Sequence, residues 1–527
     1  MKGKKRGVFV GFFVILLCAV LGGVYGPRVT AQSSSGDAEI QQSLRAISKV
    51  LRTVEQQYAD SVDVEKVIYN GAIPGMLRSL DPHSNFFDPK SFALLREEQE
   101  GRYYGVGMTV TPRNGKTIVL APFVGSPAYK AGLRPGDVIV QVDNTPTDNL
   151  TTTEIAELLK GPKGTKVRIQ VMREGTPEPL EFAIVRDEIP RKSIEHAFWI
   201  TPDVGYIRIA SFNENTSREL RDALREFNSA TMKGLVLDLR NNPGGLLAEG
   251  VNVSDLFLER GQLIVSHRGR SSPEKRYTAS RGNRGPQYPL VVLINQFTAS
   301  AAEIVSGAIQ DHDRGLIVGQ SSFGKGLVQT VYPLSENTGL ALTTAKYYTP
   351  SGRLIQRDYS SVSLYDYYYH KENGGAKSTD VRRTDAGRPV FGGGGITPDI
   401  EASERKRNPF QETMARNYAF FNFSKHYLAG QQTISRDFEV NDEVLNGFRQ
   451  FLKEQKVPFQ ESDFEANREY IQQSIKIELY LSVFGMDEAY KLEAVADPQI
   501  QKSIELLPQA AALLENAKQL MAQKDSR

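Results

Sequence analysis

Apolar residues recur at helical spacing in Leu44, Ile47, Val50, Leu51 and Val54, so the pattern predicts one amphipathic helix from Glu39 to about Tyr58. A second helical stretch follows and breaks at LDPHSNFFDP, where Pro82 and Pro89 mark turns. From Tyr103 to about Asp187 the texture changes to short β-rich runs punctuated by Gly and Pro. From about Ile189 to Ser403 apolar strands such as GLVLDLR (234–240), PLVVLIN (289–295) and GLIVGQ (315–320) alternate with helical stretches, which predicts an α/β layer architecture. The segment 357–391, with Tyr367, Tyr368 and Tyr369 followed by KENGGAKSTD, fits no period and reads as a polar surface insertion. From Glu404 onward the pattern is helical again. Ile500, Ile504, Leu507, Ala511 and Leu514 form a stripe, which Pro508 kinks or divides. That stripe leaves two options open, packing against the rest of the chain or joining two copies.

The 527 residues exceed one hydrophobic core, so three or four compact units are expected. The boundaries read as 1–31, 37–98, 99–187, 188–403 with its insertion at 357–391, and 404–527. Lys plus Arg (64) nearly balances Asp plus Glu (62), leaving no basic field suited to nucleic acid. The chain starts with the basic MKGKKRG, an apolar run from Val8 to about Gly26, and PRVTAQ with Val29 and Ala31 at cleavage-site spacing. This pattern predicts export, to a periplasmic or other extracytoplasmic compartment. The apolar run nearly spans a bilayer, so an uncleaved anchor that would associate the chain with a membrane stays open beside cleavage. Cys18 is the only cysteine and lies inside that run, so no disulfide and no thiol nucleophile is expected in the mature chain.

The segment from Tyr103 to Asp187 resembles a PDZ domain, most specifically in AGLRPGDVIVQVDN (131–144), where Gly132 and Pro135-Gly136 set turns around a short strand. Such domains bind a peptide by adding it as a strand to an exposed sheet edge. The resemblance implies that backbone N–H groups of Tyr104, Gly105, Val106 and Gly107 capture a C-terminal carboxylate. It also implies that Ile155, Leu158 and Leu159 line the pocket. On their own, the glycines are equally explained by a tight turn.

Ser300, in NQFTASAAEI, stands among small residues where a buried strand turns into a helix, a common setting for an exposed nucleophile. None of the six histidines completes a Ser/His/Asp triad: His83 reads as a loop residue and His312 as a helix-end residue, and no cluster has metal-ligand spacing. Neither a metal nor a cofactor is expected. GQSSFGKG (319–326) fits G-x-x-x-x-G-K, but Gly326 stands where a phosphate loop needs Ser or Thr for Mg²⁺. Lys325 lies instead among Phe323, Gly324, Gly326, Leu327 and Val328, with no acidic residue from Gly315 to Ser335. Burial there would disfavour the ammonium and yield a neutral lysine able to act as base. Glu303, three residues after Ser300, reads as support for the first helical turn.

With Lys325 25 residues beyond Ser300, the chain is similar to the carboxyl-terminal processing, or tail-specific, serine peptidases. The likeness runs from about Asp37 to Ile400 through LDPHS, the PDZ segment, DLRNNPGG, FGKGLVQT, YYTPSGRLIQ and GGGITPDI. It implies a multidomain α/β protein: a β-rich PDZ domain beside a crotonase/Clp-like Ser/Lys peptidase core, with helical N- and C-terminal sections. It further implies that Ser300 is the nucleophile, Lys325 the general base and Gln329 its orienter, with Gly245 and Ala301 supplying oxyanion-hole amides. Lys325 and Gln329 share a side whether the stretch is helix or strand. Protein substrates with unstructured C-termini follow from the same likeness. Some members carry arginine where this chain has Lys160, which keeps the charge but loses the planar fork. The alternative from another class is a non-catalytic PDZ scaffold on a peptidase-like fold.

Overall fold

The computed structural model describes residues 35–113, 115–227, 231–283, 285, 287–360, 363–369, 380–430 and 433–525. The predicted leader at 1–31 lies outside them, as does most of KENGGAKSTD. The chain divides into two compact units, residues 1–76 and 77–527. The first contains α1 (Ser35–Gln57), on which Leu44, Ile47 and Val50 of the predicted stripe are exposed. Among the described residues no helix is long and apolar enough to cross a membrane.

The second unit opens with β1 (Asn85–Phe87) and α2 (Pro89–Glu100), which is capped by Asp88 and closed by Gly101 in the left-handed region. β2 (Arg102–Gly105) follows, and then the β-rich segment. There β3 (Met108–Arg113), β4 (Lys116–Pro122), β5 (Val138–Val142), β6 (Lys166–Met172) and β7 (Leu180–Val185) form one antiparallel sheet in that order. α3 (Pro127–Ala131) and α4 (Thr152–Leu159) complete it around a core that includes Val119, Ile139, Val167 and Ile169. β8 (Asp187–Pro190) returns to pair with β2.

The central sheet is built from β9 (Ile194–Thr201), β10 (Val204–Ile209), β11 (Gly234–Asp238), β14 (Leu290–Ile294), β15 (Leu316–Gly319) and β18 (Ile400–Glu401), paired in that order. All neighbours are parallel except β9 with β10. Every residue of β11 and β14 is buried, because both faces of the sheet are covered. Leu235, Leu237, Val292 and Ile294 face α5 (Thr216–Glu226), α6 (Leu247–Asp255) and α7 (Ala301–Asp311). Val236, Val291 and Leu293 turn to the opposite face. A second sheet places β12 (Leu263–Gly269), β13 (Ser272–Thr278) and β1 around the long β17 (Gly339–Tyr348), with β16 (Leu327–Pro333) also on β17. The segment 357–391 departs from the expected surface loop. Its short helix α8 (Leu364–Tyr369) carries a Tyr367 that is 1 % exposed, and its hairpin 381–391 is pinned by Arg388 to Asp313 and Asp399.

The C-terminal helices do two jobs. α9 (Pro409–Arg416), α10 (Ala419–Gly430), α11 (Asp442–Glu454), α12 (Glu461–Ala466) and α13 (Arg468–Phe484) gather around stacked phenylalanines, with Phe420 and Phe448 at 5.1 Å between centroids. α14 (Met486–Val495), α15 (Pro498–Glu505) and α16 (Leu507–Asp525) cover the second face of the central sheet with Ile500, Leu507 and Ala510. The predicted stripe therefore packs on the chain's own sheet. Pro508 divides it into two helices and sits in the first turn of α16, where its missing N–H breaks no helical bond. At the end of β11 the fully buried Asp238 accepts from Arg240 Nε and, at 2.6 Å, from its terminal nitrogen, while Arg240 also reaches Asp497 (2.8 Å) and Gln499 (2.6 Å).

Candidate active site

β14 ends in a turn tied to the end of β11. Asn295 accepts from the Asn241 N–H (2.9 Å), Thr298 donates to the Leu239 carbonyl (2.8 Å), and the Ala299 N–H reaches the Asn242 carbonyl (2.9 Å). The turn delivers Ser300 with φ 54° and ψ −115°, a strained conformation for a side chain with a Cβ. Two contacts hold it there: the Ser300 N–H donates to Glu303 Oε2 (2.8 Å), and its carbonyl accepts from the Tyr347 hydroxyl (3.2 Å). Ala301 begins α7, so its N–H has no acceptor within the helix.

The NNPGG turn lies against this serine. A Cβ on Gly244 would fall 2.7 Å from the Ser300 Cβ and 2.8 Å from the Ala301 nitrogen, and Gly244 itself has φ +93°, so only glycine fits. Phe212 forms a parallel bridge with Gly245 through the Gly244 carbonyl and the Leu246 N–H, which leaves the Gly245 N–H turned away from Phe212. The segments carrying both expected oxyanion amides are thus brought together beside Ser300.

Lys325 stands on the glycine turn between β15 and β16, half-buried, and its Nζ donates to Gln329 Oε1 at 2.9 Å. Gln329 lies on β16, so its alignment with Lys325 comes from an extended chain and not from a helix. Its Nε2 donates to the backbone carbonyl of His83. Burial pulls the Lys325 ammonium below the ordinary lysine range, opposed by the charges of Glu303 and Asp81. The sequence shows no acid near Lys325 along the chain, but these two come close through the fold. Among the described residues, Ser300 Oγ makes no hydrogen bond to Lys325 Nζ.

Glu303 supports the first turn of α7 as expected, and it also does what its spacing could not reveal. Its carboxylate, fully buried, accepts from the N–H groups of Ser300 (2.8 Å), Gly324 (2.7 Å) and Lys325 (2.9 Å) and from the Ser322 hydroxyl (2.5 Å). Burial pushes this carboxyl upward while those four donors act to lower it. Gln356 Oε1 takes the next amide, that of Gly326, at 2.9 Å. Three consecutive N–H groups that a phosphate loop would offer to its ligand are therefore occupied by side chains. Tyr347 was also missed. Its hydroxyl contacts the backbone carbonyls of both Ser300 (3.2 Å) and Lys325 (2.6 Å), and a tyrosine in a β-rich run carries no signal of this. The one available hint for Glu303 was an acid inside the otherwise small and apolar AAEIVSGAI.

LDPHS has a positioning role too. Asp81 accepts from the N–H groups of His83 (2.8 Å) and Ser84 (2.7 Å) and from the Ser84 hydroxyl (2.7 Å), while Ser84 Oγ accepts from the Thr343 N–H on β17 (3.1 Å). This closed turn presents the His83 carbonyl to Gln329. The His83 ring is not a solvated loop group: burial and then the Lys325 charge bring its pKa down to about 4.

In the β-rich segment, β3 is an edge strand with α4 alongside it, and Gly105 to Gly107 lead into its first residue. Tyr104 and Gly105 belong to β2. The carbonyl of Val106 accepts from Ala128 (2.8 Å), and that of Gly107 accepts from Phe123 (3.0 Å). Gly107 has φ +76°, and a Cβ there would fall 2.6 Å from Ser126. Ile155 and Leu159 are buried in the domain core, and Leu158 is half-buried. Lys160 pairs with Glu97 on α2 at 2.9 Å and lies over the Tyr103 ring.

Comparison with known proteins matches residues 203–361 to peptidase family S41 and residues 118–173 to the PDZ domain. Residues 410–462 match the C-terminal helical domain of a probable PDZ-protease, and residues 26–91 match the N-terminal domain of the activating protease CtpB. The chain is 42% identical over 335 residues to a carboxy-terminal-processing protease of Bartonella bacilliformis, covering 62% of this chain and 76% of that protein. It is 32% identical over 355 residues to the carboxy-terminal processing protease CtpA of Bacillus subtilis, covering 66% and 74%. Among solved structures, a photosystem II D1 C-terminal processing protease is 33% identical and covers 61% of this chain and 90% of its own, with a TM-score of 0.34.

Proposed function

The chain belongs to peptidase family S41 as a serine-type carboxy-terminal processing protease with a PDZ domain, and from that premise we propose that it is an exported endopeptidase whose Ser300 is activated by a neutral Lys325. The observation that carries this reading is the Glu303 carboxylate, which ties the backbone of Ser300 and Lys325 together while Gln329 holds the lysine amine.

In this reading a substrate carbonyl enters beside Ser300, and the Ser300 Oγ to Lys325 Nζ hydrogen bond closes as the substrate binds, such bonds often being loose in a free enzyme. Lys325 takes the hydroxyl proton as Oγ bonds to the carbonyl carbon. The oxyanion so formed is received by the N–H groups of Gly245 and Ala301. As the peptide C–N bond breaks, Lys325 gives its proton to the leaving amine. Water then loses a proton to Lys325 and attacks the acyl ester; as the C–Oγ bond breaks, Lys325 returns that proton to Ser300 Oγ and the new C-terminal carboxylate leaves. Strain in the Ser300 backbone keeps Oγ presented to the substrate throughout.

The PDZ domain would deliver the substrate: its C-terminus adds to the free edge of β3, and the amides of Tyr104 to Gly107 take the terminal carboxylate. An extracytoplasmic site of action rests on the basic and apolar leader pattern at 1–31. The test is cleavage of one unstructured protein substrate with a free or an amidated C-terminus. The parent should cut the free form far faster, and Ser300→Ala and Lys325→Ala should cut neither. Activity kept by either variant refutes the dyad. Binding without cleavage by the parent supports the scaffold alternative, and cleavage indifferent to amidation removes tail recognition.

A further inference from the structure

The short helix α8, in a segment that reads from sequence as a surface insertion, reaches the base. Tyr367 is buried, and its hydroxyl lies 2.9 Å from His83 Nε2 while accepting from Gln356 Nε2 at 3.1 Å. A hydroxyl has one proton to give. With Gln356 as its donor, the Tyr367 proton is free to point at His83 Nε2 and select the Nδ1–H tautomer of a neutral ring. Both partners lead on to Lys325. The His83 carbonyl accepts from Gln329 Nε2, and Gln329 Oε1 accepts from Lys325 Nζ at 2.9 Å. Gln356 Oε1 accepts the N–H of Gly326, the residue after Lys325, at 2.9 Å.

Packing holds α8 in place around this junction. The Tyr367 ring meets Phe323 edge-on at 5.4 Å and His83 at 5.6 Å, and the Arg357 guanidinium lies 4.6 Å from the centroids of both Phe323 and Tyr367. The neighbouring Tyr368 donates to the Pro82 carbonyl at 2.7 Å, anchoring α8 to the turn that contains His83. Burial pushes the Tyr367 phenol up to about 12, so it stays a donor across the working pH range of an enzyme.

We propose that Tyr367 is a positioning residue for the peptidase reaction, holding the base in place through two hydrogen-bonded chains that meet at its hydroxyl. This rests on the reading of Lys325 as the general base. Tyr367 touches neither Ser300 nor Lys325; it fixes His83 and Gln356, which fix Gln329 and the glycine turn. The charged or titratable groups acting on Lys325 are Glu303 on α7 and Asp81 on the turn ahead of β1, and those acting on His83 are Lys325, Asp81 and Arg357 ahead of α8. Removing the Tyr367 hydroxyl changes none of these charges, but it frees the His83 ring and loosens Gln329. Water then gains access to the lysine, and the ammonium is better solvated.

The test is kcat and KM against pH for the full-length parent, Tyr367→Phe, Tyr368→Phe and Lys325→Ala. Tyr367→Phe keeps the ring packing and should lose on the order of tenfold in kcat near neutral pH with KM unchanged. Its activity should recover as the pH rises, because the acid limb of kcat moves upward. Tyr368→Phe should move the same way by less, and it decides the matter if Tyr367→Phe does not fold. Parental kcat and limb in both tyrosine variants overturn the proposal. So does an equal loss at every pH with a lowered Tm, which marks a structural role only. Lys325→Ala should be inactive at all pH values; if it cuts, the base assignment itself fails, independently of Tyr367.

Discussion

A single buried carboxylate organises the site at the residue scale. Glu303 faces four donors, three of them backbone N–H groups of Ser300, Gly324 and Lys325, and among the described residues only Tyr347 also hydrogen-bonds the backbones of both Ser300 and Lys325. Glu303→Gln keeps the shape but places an NH₂ group against N–H donors. It should lower stability by about 2–3 kcal/mol in denaturant titration, the cost of leaving buried donors unsatisfied. It should also lower kcat on the order of 100-fold through misplacement of Ser300 and Lys325. Ser322→Ala, which removes one donor from Glu303, leaves three and also takes the acceptor from the buried Ile396 N–H, should cost about 1–3 kcal/mol but little activity. Equal effects from the two changes would show that Glu303 acts only as a core residue. These residues also show where sequence reading ends. Ser300 and Lys325 are legible because each sits in an unusual local setting, small residues around one and apolar residues around the other. Glu303, Tyr347 and Tyr367 act on partners 22, 22 and 284 positions away; nothing beside the two tyrosines in the chain signals it, and Glu303 offers only the hint of an acid in a small, apolar run.

Elements that are buried on both faces were easy to read. β11 and β14 are continuous apolar runs because helices cover the sheet on either side, and the turns after them contain the residues proposed for the oxyanion and nucleophile positions. The C-terminal stripe was legible as a stripe, but its partner was not, since an apolar helix face is the same whether it meets a sheet or another copy. The structure gives α15 a second function in addition to packing: Asp497 and Gln499 receive Arg240 just ahead of the NNPGG turn. Gln499→Ala removes one acceptor from that buried guanidinium and should cost about 1.5–3 kcal/mol. If α15 also steadies the oxyanion turn, kcat should fall several-fold with KM unchanged. Loss of stability with parental kcat would restrict α15 to packing.

Across the chain, the residues matched to the PDZ domain and to the peptidase family belong to one compact unit, in which the PDZ domain is gripped from two sides. Lys160 joins it to α2, while Lys425 on α10 pairs with Glu174 at 3.1 Å and Phe421 lies 3.6 Å beneath the Arg113 guanidinium at the end of β3. The edge strand proposed to receive the substrate tail thus ends on the C-terminal helices, and the helix behind it ends at Lys160, facing α2, which follows LDPHS in the chain. In the proposed mechanism tail binding and base positioning fall to separate residues, so a change at Lys325 should abolish the chemical step and leave tail binding intact.

In the proposed mechanism a half-buried lysine, neutral when it acts, is the base for Ser300. The most direct test is the pH dependence of kcat on a saturating free-tail substrate. Burial lowers the lysine pKa, so the neutral, active form should accumulate as the pH rises and kcat should reach half its plateau below the ordinary lysine value of about 10.4. A rate that rises only near that value, or a profile unchanged in Lys325→Ala, would contradict it.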